Sequence, residues 1–380
     1  MTISTTEERA NTEDYLSIFL NDIPLMDVRA PVEYAKGSFP LASNAPILDD
    51  RQREQIGTCY KQEGPDAAVE LGYELATDEV RSQRLASWQQ FVTQHPQGYL
   101  FCFRGGQRSH ITQQWLKDSG YPYPLVKGGY KALRRFLIDE LERSIEEIPF
   151  IILSGKTGTG KTFLIHQLEN SVDLEGLANH RGSSFGRRYG GQPGQIDFEN
   201  RLSIALLKHR HHNPGMPVLL EDESKLIGRC SLPQSMRDKM QQSPLVLLEE
   251  TMEERIKIGL KEYVTDNLAE FVAAYGDEQG FDQFVEGLSG SLYRIRRRLG
   301  GERYQQLTDM LEKAIQQHKK EGVIDGYSPL ISDLLSHYYD PMYDYQLEQK
   351  EGEIIFRGNR QAIEEHYTTS LINSDTIESA

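Results

Sequence analysis

Over residues 12–140, short apolar runs alternate with polar stretches punctuated by glycine and proline. Residues 15–20 carry their apolar positions at helical spacing and predict a short amphipathic helix. Residues 24–29, Pro-Leu-Met-Asp27-Val-Arg29, read as a buried strand ending in a polar turn. Strands, glycine turns and helices are expected to alternate up to an apolar run at 99–103. A helix over 109–117, a short strand over 124–127 and a helix from Gly128-Gly129-Tyr130 to Glu142 should follow. This is an α/β pattern, with chemistry expected where a central strand ends.

The second half keeps the α/β alternation and then changes period. Residues 149–153 form an apolar strand, and Phe163, Leu164, Ile165 and Leu168 line one face of a helix. Residues 217–220 are apolar and run directly into Glu221-Asp222-Glu223, while 244–248 supply a third buried strand and so a parallel core. From 251 to 276 and from 281 to 322, apolar residues recur at three and four, which predicts helices. Glu353-Ile-Ile-Phe356-Arg357 is strand-like. The expected fold is therefore two α/β domains, residues 12–140 and 145–375, the second with a parallel sheet and a helical C-terminal extension.

Composition narrows the class. At 380 residues the chain is long enough for two cores, and residues 1–14 are polar and acidic, without a secretory signal. No stretch approaches the roughly 18 apolar residues of a membrane span, so a cytoplasmic protein is expected. Three widely spaced cysteines, Cys59, Cys102 and Cys230, make neither a disulfide framework nor a zinc knuckle. The formal net charge of -15 argues against coating nucleic acid through bulk electrostatics. Two basic clusters remain as phosphate footprints or solvated helix faces: Arg294-Ile-Arg-Arg297-Arg298 with Arg303, and His180-Arg181 with Arg187-Arg188.

The chemistry concentrates in two anion cradles. Phe101-Cys102-Phe-Arg104-Gly-Gly-Gln-Arg108-Ser109 places a thiol between a strand and a helix. Loop amides, the positive helix end and the two guanidinium groups all favour a thiolate, so Cys102 is expected to be a nucleophile. Cys59 has no activating charge beside it and is expected only to pack. The second cradle, Gly155-Lys-Thr-Gly158-Thr-Gly160-Lys161-Thr162, has the strand, loop and helix context of a P-loop. Its glycines wrap phosphates, Lys161 adds charge and Thr162 can hold a divalent metal such as Mg²⁺. One of Glu221, Asp222 and Glu223 should meet the metal, its water or a proton. The stretch His180-Arg181-Gly-Ser183-Ser184-Phe-Gly reads as a substrate-contacting loop. His209, His211 and His212 close a helix, where they suit its dipole better than a metal.

Asp27-Val-Arg29-Ala-Pro31-Val-Glu33-Tyr34, the Cys102 loop and Lys127-Gly128-Gly129-Tyr130 resemble a rhodanese domain, a family whose cysteine carries a chalcogen. The loop departs from the usual Cys-x-x-Gly-x-Arg. Arg108 lies six residues after Cys102, as in the Cys-x5-Arg-Ser of cysteine-dependent phosphatases, and a wider loop of this kind can enclose a tetrahedral oxyanion. A rhodanese-like domain followed by a P-loop domain resembles the bacterial tRNA 2-selenouridine synthases. The same resemblance runs through residues 180–186 and 218–224 and through Tyr339-Asp340-Pro341-Met342-Tyr343.

That resemblance implies a transferase that converts wobble 2-thiouridine to 2-selenouridine in tRNAs for Lys, Glu and Gln, through an S-geranylated intermediate. It also implies the substrates selenophosphate and geranyl diphosphate, with no tightly bound cofactor. Cys102, Arg104 and Arg108 would take selenium from its donor, residues 155–162 would hold the diphosphate, and His180, Arg181, Ser183, Ser184, Arg294 and Arg297 are candidate tRNA contacts. A monomer is expected, with an enzyme supplying selenophosphate as a candidate partner. The competing reading is a cysteine-dependent phosphatase or sulfurtransferase joined to an ATP-dependent kinase-like domain.

Overall fold

The computed structural model describes residues 9–375, so the start of the acidic N-terminal segment, residues 1–8, lies outside the described residues. The chain divides into two compact units, one of residues 1–144 with 194–208, the other of 145–193 with 209–380. Residues 194–208, in the middle of the span 145–375, thus group with the first unit. The reason is visible in its packing. Ile204 and Leu207 join the core around Phe39, Phe101 and Leu137, and Asn200 Nδ2 donates to the carbonyl of Ser38 at 2.6 Å.

In the first unit, β1 (Leu25–Asp27) pairs in parallel with both β2 (Ala42–Asn44) and β3 (Tyr99–Phe101). The middle strand of the three is therefore β1, and Cys102 follows a strand beside it. Residues 124–127 form no full strand: Leu125 bridges to Leu100 and Val126 to Thr12. The alternation expected between 45 and 98 is also corrected. That interval holds the helices Asp50–Glu63, Pro65–Leu75 and Asp78–Gln94 and no strand. Their boundaries follow local chemistry: Asp49 and Gln52 form a capping box, Gly64 at φ 96° with Pro65 breaks the chain, and Thr77 caps the third helix.

In the second unit the strands are β4 (Phe150–Gly155), β5 (Ser171–Val172), β6 (Val218–Glu221), the hairpin pair β7 (Leu226–Ile227) and β8 (Cys230–Ser231), β9 (Leu245–Leu248) and β10 (Ile354–Gly358). The main sheet is parallel throughout, in the order β10-β9-β4-β6-β5. β4 is central, so the glycine loop emerges between its neighbours β6 and β9. A separate helical core gathers Phe284, Leu288, Leu292 and Ile295 from Asp277–Leu299 with Leu307 and Leu311 from Gly301–Glu321. Two turns of wider, π-helical winding interrupt the helices here, at Lys261–Asp266 and Leu335–Tyr339. Among the described residues no helix is long and apolar enough to cross a membrane.

Candidate active sites in the two units

β3 delivers Cys102 to a loop that is stitched from behind. Tyr130 N donates to the Cys102 carbonyl at 2.8 Å and Lys131 N to that of Phe103 at 3.0 Å. The approach leaves no room for side chains: a Cβ on Gly129 would stand 2.2 Å from the Cys102 carbonyl oxygen, and one on Gly105, at φ 65°, would stand 2.8 Å from Gly128 N. The helix Gln107–Asp118 starts at once, its positive end towards the loop. Cys102 is 2% exposed, with Sγ 4.0 Å from the Gly106 carbonyl, and the buried Ser109 hydroxyl has no hydrogen-bond partner.

The two arginines of this loop differ. Arg108 is gripped by Glu33 through Nη1 at 2.5 Å and Nη2 at 3.1 Å, whereas Arg104 is exposed, 5.8 Å from the Phe103 ring centre. Burial works against the charge on Glu33, but the guanidinium outweighs it and holds the carboxyl below its ordinary range. Asp27 and Arg29 of the rhodanese-like stretch form a buried pair at 2.6 Å, with Arg29 over the Tyr130 ring at 3.8 Å. Burial raises the Asp27 pKa. Arg29 Nη2 also donates to the Gly37 carbonyl at 2.9 Å, which ties the turn after the next helix to this pair. Cys59 is half-buried, with burial and then Glu63 pushing its thiol pKa up.

In the second unit the glycine loop surrounds a pocket of 390 Å³. Gly158 and Gly160 both take φ 81°, and a Cβ on Gly158 would press to 3.0 Å from the Arg255 carbonyl oxygen. Lys161 Nζ donates to the Gly155 carbonyl at 2.8 Å, and the Thr162 hydroxyl donates to Glu175 Oε2 at 3.3 Å. The three acids after β6 have separate tasks. Glu221 is fully buried, and its Oε2 accepts from Leu174 N at 2.7 Å and Glu175 N at 3.3 Å. Asp222 lines the pocket, accepts from Ser154 Oγ at 2.6 Å and pairs with Lys350 at 2.5 Å. Glu223 also lines it and hydrogen-bonds to Glu175, an arrangement that needs one proton between two carboxyls.

Burial first, and then the Glu175 charge, push Glu221 and Glu223 well above the carboxylate range. Burial raises Glu175 and Glu262 as well. Gly182, at φ 58°, passes so close that a Cβ would meet Glu175 at 2.2 Å and Glu223 at 2.5 Å. Among the described residues no group of three or more His, Cys, Asp or Glu is placed to hold a metal ion. His209 is accounted for structurally, its Nε2 3.1 Å from the Met216 carbonyl.

Beside this pocket lies a larger chamber of 990 Å³, bordered by His180, Arg187, Arg188, Arg229, Arg294 and Arg298. Gly182, Ser183, Ser184 and Arg298 line both spaces. The structure therefore brings His180, Ser183, Ser184 and Arg294 together on the chamber. Arg181 is buried, with Nη2 3.2 Å from Glu270, and lines the glycine-loop pocket, while Arg297 is exposed and borders neither space. Burial, followed by Arg187, Arg294 and Arg188, lowers the His180 pKa to about 4, so the ring is neutral at pH 7. Phe271 borders the chamber and meets Tyr189 and Tyr275, both 44% exposed.

Sequence reading missed Glu175, Glu262, Tyr263 and Lys350, which no local motif marks. The Tyr339–Tyr343 stretch acts partly through Asp340. This residue grips Arg255 at 2.6 and 2.9 Å, and Arg255 Nε in turn holds the Thr157 carbonyl at 2.9 Å.

The model for the tRNA 2-selenouridine synthase AAA domain matches residues 148–373. The tRNA 2-selenouridine synthase of Marinobacter nauticus is 58% identical over 94% of this chain and 97% of its own length. The one from Hahella chejuensis is 50% identical over 97% of each, and that of Alcanivorax borkumensis 52% identical over 93% and 98%. A solved N-terminal domain of a protein from Clostridium difficile 630 that is titled an ATP/GTP binding protein is 26% identical. It covers 30% of this chain and 89% of its own, and its TM-score of 0.29 bears no weight. With a phosphate loop in the matched segment and relatives aligned over almost all of it, the chain belongs to the tRNA 2-selenouridine synthase family.

Proposed function

We propose that the protein exchanges sulfur for selenium in wobble 2-thiouridine of tRNAs for Lys, Glu and Gln, in two steps, one assigned to each unit. In the first, the thiocarbonyl sulfur attacks carbon 1 of geranyl diphosphate. The carbon–oxygen bond breaks, diphosphate leaves and nitrogen 3 of the base gives up its proton. Lys161, Thr162 and the amides of residues 155–162 receive the departing charge, which is where fixed donors contribute most. Thr162 with the Glu175–Glu223 pair suits a divalent cation, which would replace the shared proton and screen the diphosphate.

In the second step the Cys102 thiolate attacks the phosphorus of selenophosphate and expels hydrogen selenide, so that the cysteine takes the phosphoryl group and not, as the family resemblance implies, the selenium. Selenium adds to carbon 2 of the base, geranylthiol leaves, and water frees the phosphate from sulfur. Selenium in this donor is already at the selenide level, so no oxidant is required. Geranylation matters because a thiocarbonyl sulfur is a poor leaving group and an alkylated one departs as a thiol.

The observation that carries the reading is the wall shared by the phosphate pocket and the basic chamber, which puts an anionic leaving group beside a space suited to a nucleic-acid strand. An extruded base is what such a chamber accommodates. The test is nucleoside mass spectrometry of 2-thiouridine tRNA incubated with geranyl diphosphate, with and without selenophosphate. Cys102→Ser should form geranylated uridine and no 2-selenouridine. Loss of both products would sink the division of labour, and phosphoester or ATP turnover without either product would favour a phosphatase and kinase pair.

A further inference from the structure

Next to the phosphate pocket the second unit contains a cavity with almost no polar lining. Leu288, Leu330, Ile331, Leu334 and Leu335 form its walls, and Gly259 leaves a gap in them, its missing Cβ 3.1 Å from Ile331 Cγ2. Thr157 and Gly158 of the glycine loop form its mouth and line the phosphate pocket as well. Tyr263 and Tyr339, one from each π-helical turn, stand between the two spaces. Burial pushes both phenols above their ordinary range, and both lie beside Ser183. Such wider turns often mark functional sites in helices. An oily space opening onto a phosphate loop fits a ligand with an anionic head and a hydrocarbon tail, and neither half alone.

We propose that this cavity takes the hydrocarbon chain of a prenyl diphosphate whose head group lies on residues 155–162. The inference rests on the reading of that loop as a diphosphate site. The open volume is 50 Å³. At about 10–15 Å³ per water-sized group, this admits one isoprene unit. Phe185 and Leu288 border both this cavity and the basic chamber, so the rest of a ten-carbon chain continues along that shared wall. Carbon 1, between head and tail, then lies beside the space assigned to the nucleoside. Arg255 holds the mouth in place through Thr157 and Asp340.

The test is calorimetric titration of the full-length protein, without tRNA, using inorganic diphosphate, geranyl diphosphate and farnesyl diphosphate. The wild type should bind geranyl diphosphate at least about tenfold more tightly than inorganic diphosphate, a modest return for burying an isoprene unit. Ile331→Phe fills the cavity and should bring the two within about twofold, leaving inorganic diphosphate binding unchanged. An undiminished preference in that variant, with diphosphate binding intact, would overturn the inference and leave the loop assignment standing. Failure of the wild type to bind diphosphate at all would overturn both. Leu334→Ala guards against a folding defect in the first variant: it should raise affinity for farnesyl relative to geranyl diphosphate, and an unchanged ratio counts against the cavity.

Discussion

The two anion cradles manage their own charge in opposite ways. Around Cys102 the cation is matched by a carboxylate, Arg108 to Glu33, and the loop is held by backbone contacts so close that glycine is required. Around Lys161 the carboxyls outnumber the cation, and Glu175 with Glu223 keeps a proton instead. The first cradle holds a matched ion pair, and the second holds a pair of carboxyls that share a proton. Similar glycine-rich loops thus answer to different conditions because their second rings of residues differ.

The largest test of this contrast is Glu33→Gln. It removes the charge partner of a half-buried arginine, at about 1–3 kcal/mol, and should lower Tm by several degrees. If Arg108 serves the donor, the same variant should lower KM for selenophosphate, because the guanidinium no longer has to leave a carboxylate. A fall in Tm with KM unchanged would make Arg108 a purely structural residue.

Next in size is the pH response. Glu33 has a depressed pKa, so the stability it contributes is present above the ordinary carboxylate range and lost as pH falls through the folded-state value. Glu221 and Glu223 have raised values, so their contribution is full below that range and lost as pH rises through the folded-state values. Thermal denaturation across pH should therefore show Glu223→Gln flattening the alkaline decline and leaving the acid limb unchanged. Parallel curves for wild type and variant would remove the shared proton from the account.

The smallest effect separates the units by their use of charge. Arg294→Ala should reduce the slope of log affinity for tRNA against log salt by about one, through loss of one phosphate contact, whereas Arg104→Ala should leave that slope unchanged and weaken selenation. The reverse result would move the RNA footprint to the first unit.

What was legible in the sequence was whatever sits on one short segment. The glycine loop, the strand entering Glu221 and the Cys102 loop each declare themselves within ten residues. The partners that give them character do not. Glu33 meets Arg108 across 75 positions and Lys350 meets Asp222 across 128, so no period or spacing joins them. The three helices of residues 50–94 were missed, because apolar periodicity there is weak and the signal lies in the caps at Asp49, Gly64-Pro65 and Thr77. The contribution of residues 194–208 to the first core had no marker, since a helix face looks the same whichever core receives it.

The two π-helical turns make the length of the chain itself a functional variable. Each fits an extra residue into a helix that would otherwise run on at 3.6 per turn, and advancing by one residue rotates a side chain by about 100°. Deleting a single position from Lys261–Asp266 or Leu335–Tyr339 would preserve helicity, hydrophobicity and charge almost entirely, yet swing Tyr263 or Tyr339 off the boundary between the apolar cavity and the glycine-loop pocket. At these two places the protein tolerates a change of letter better than a change of count.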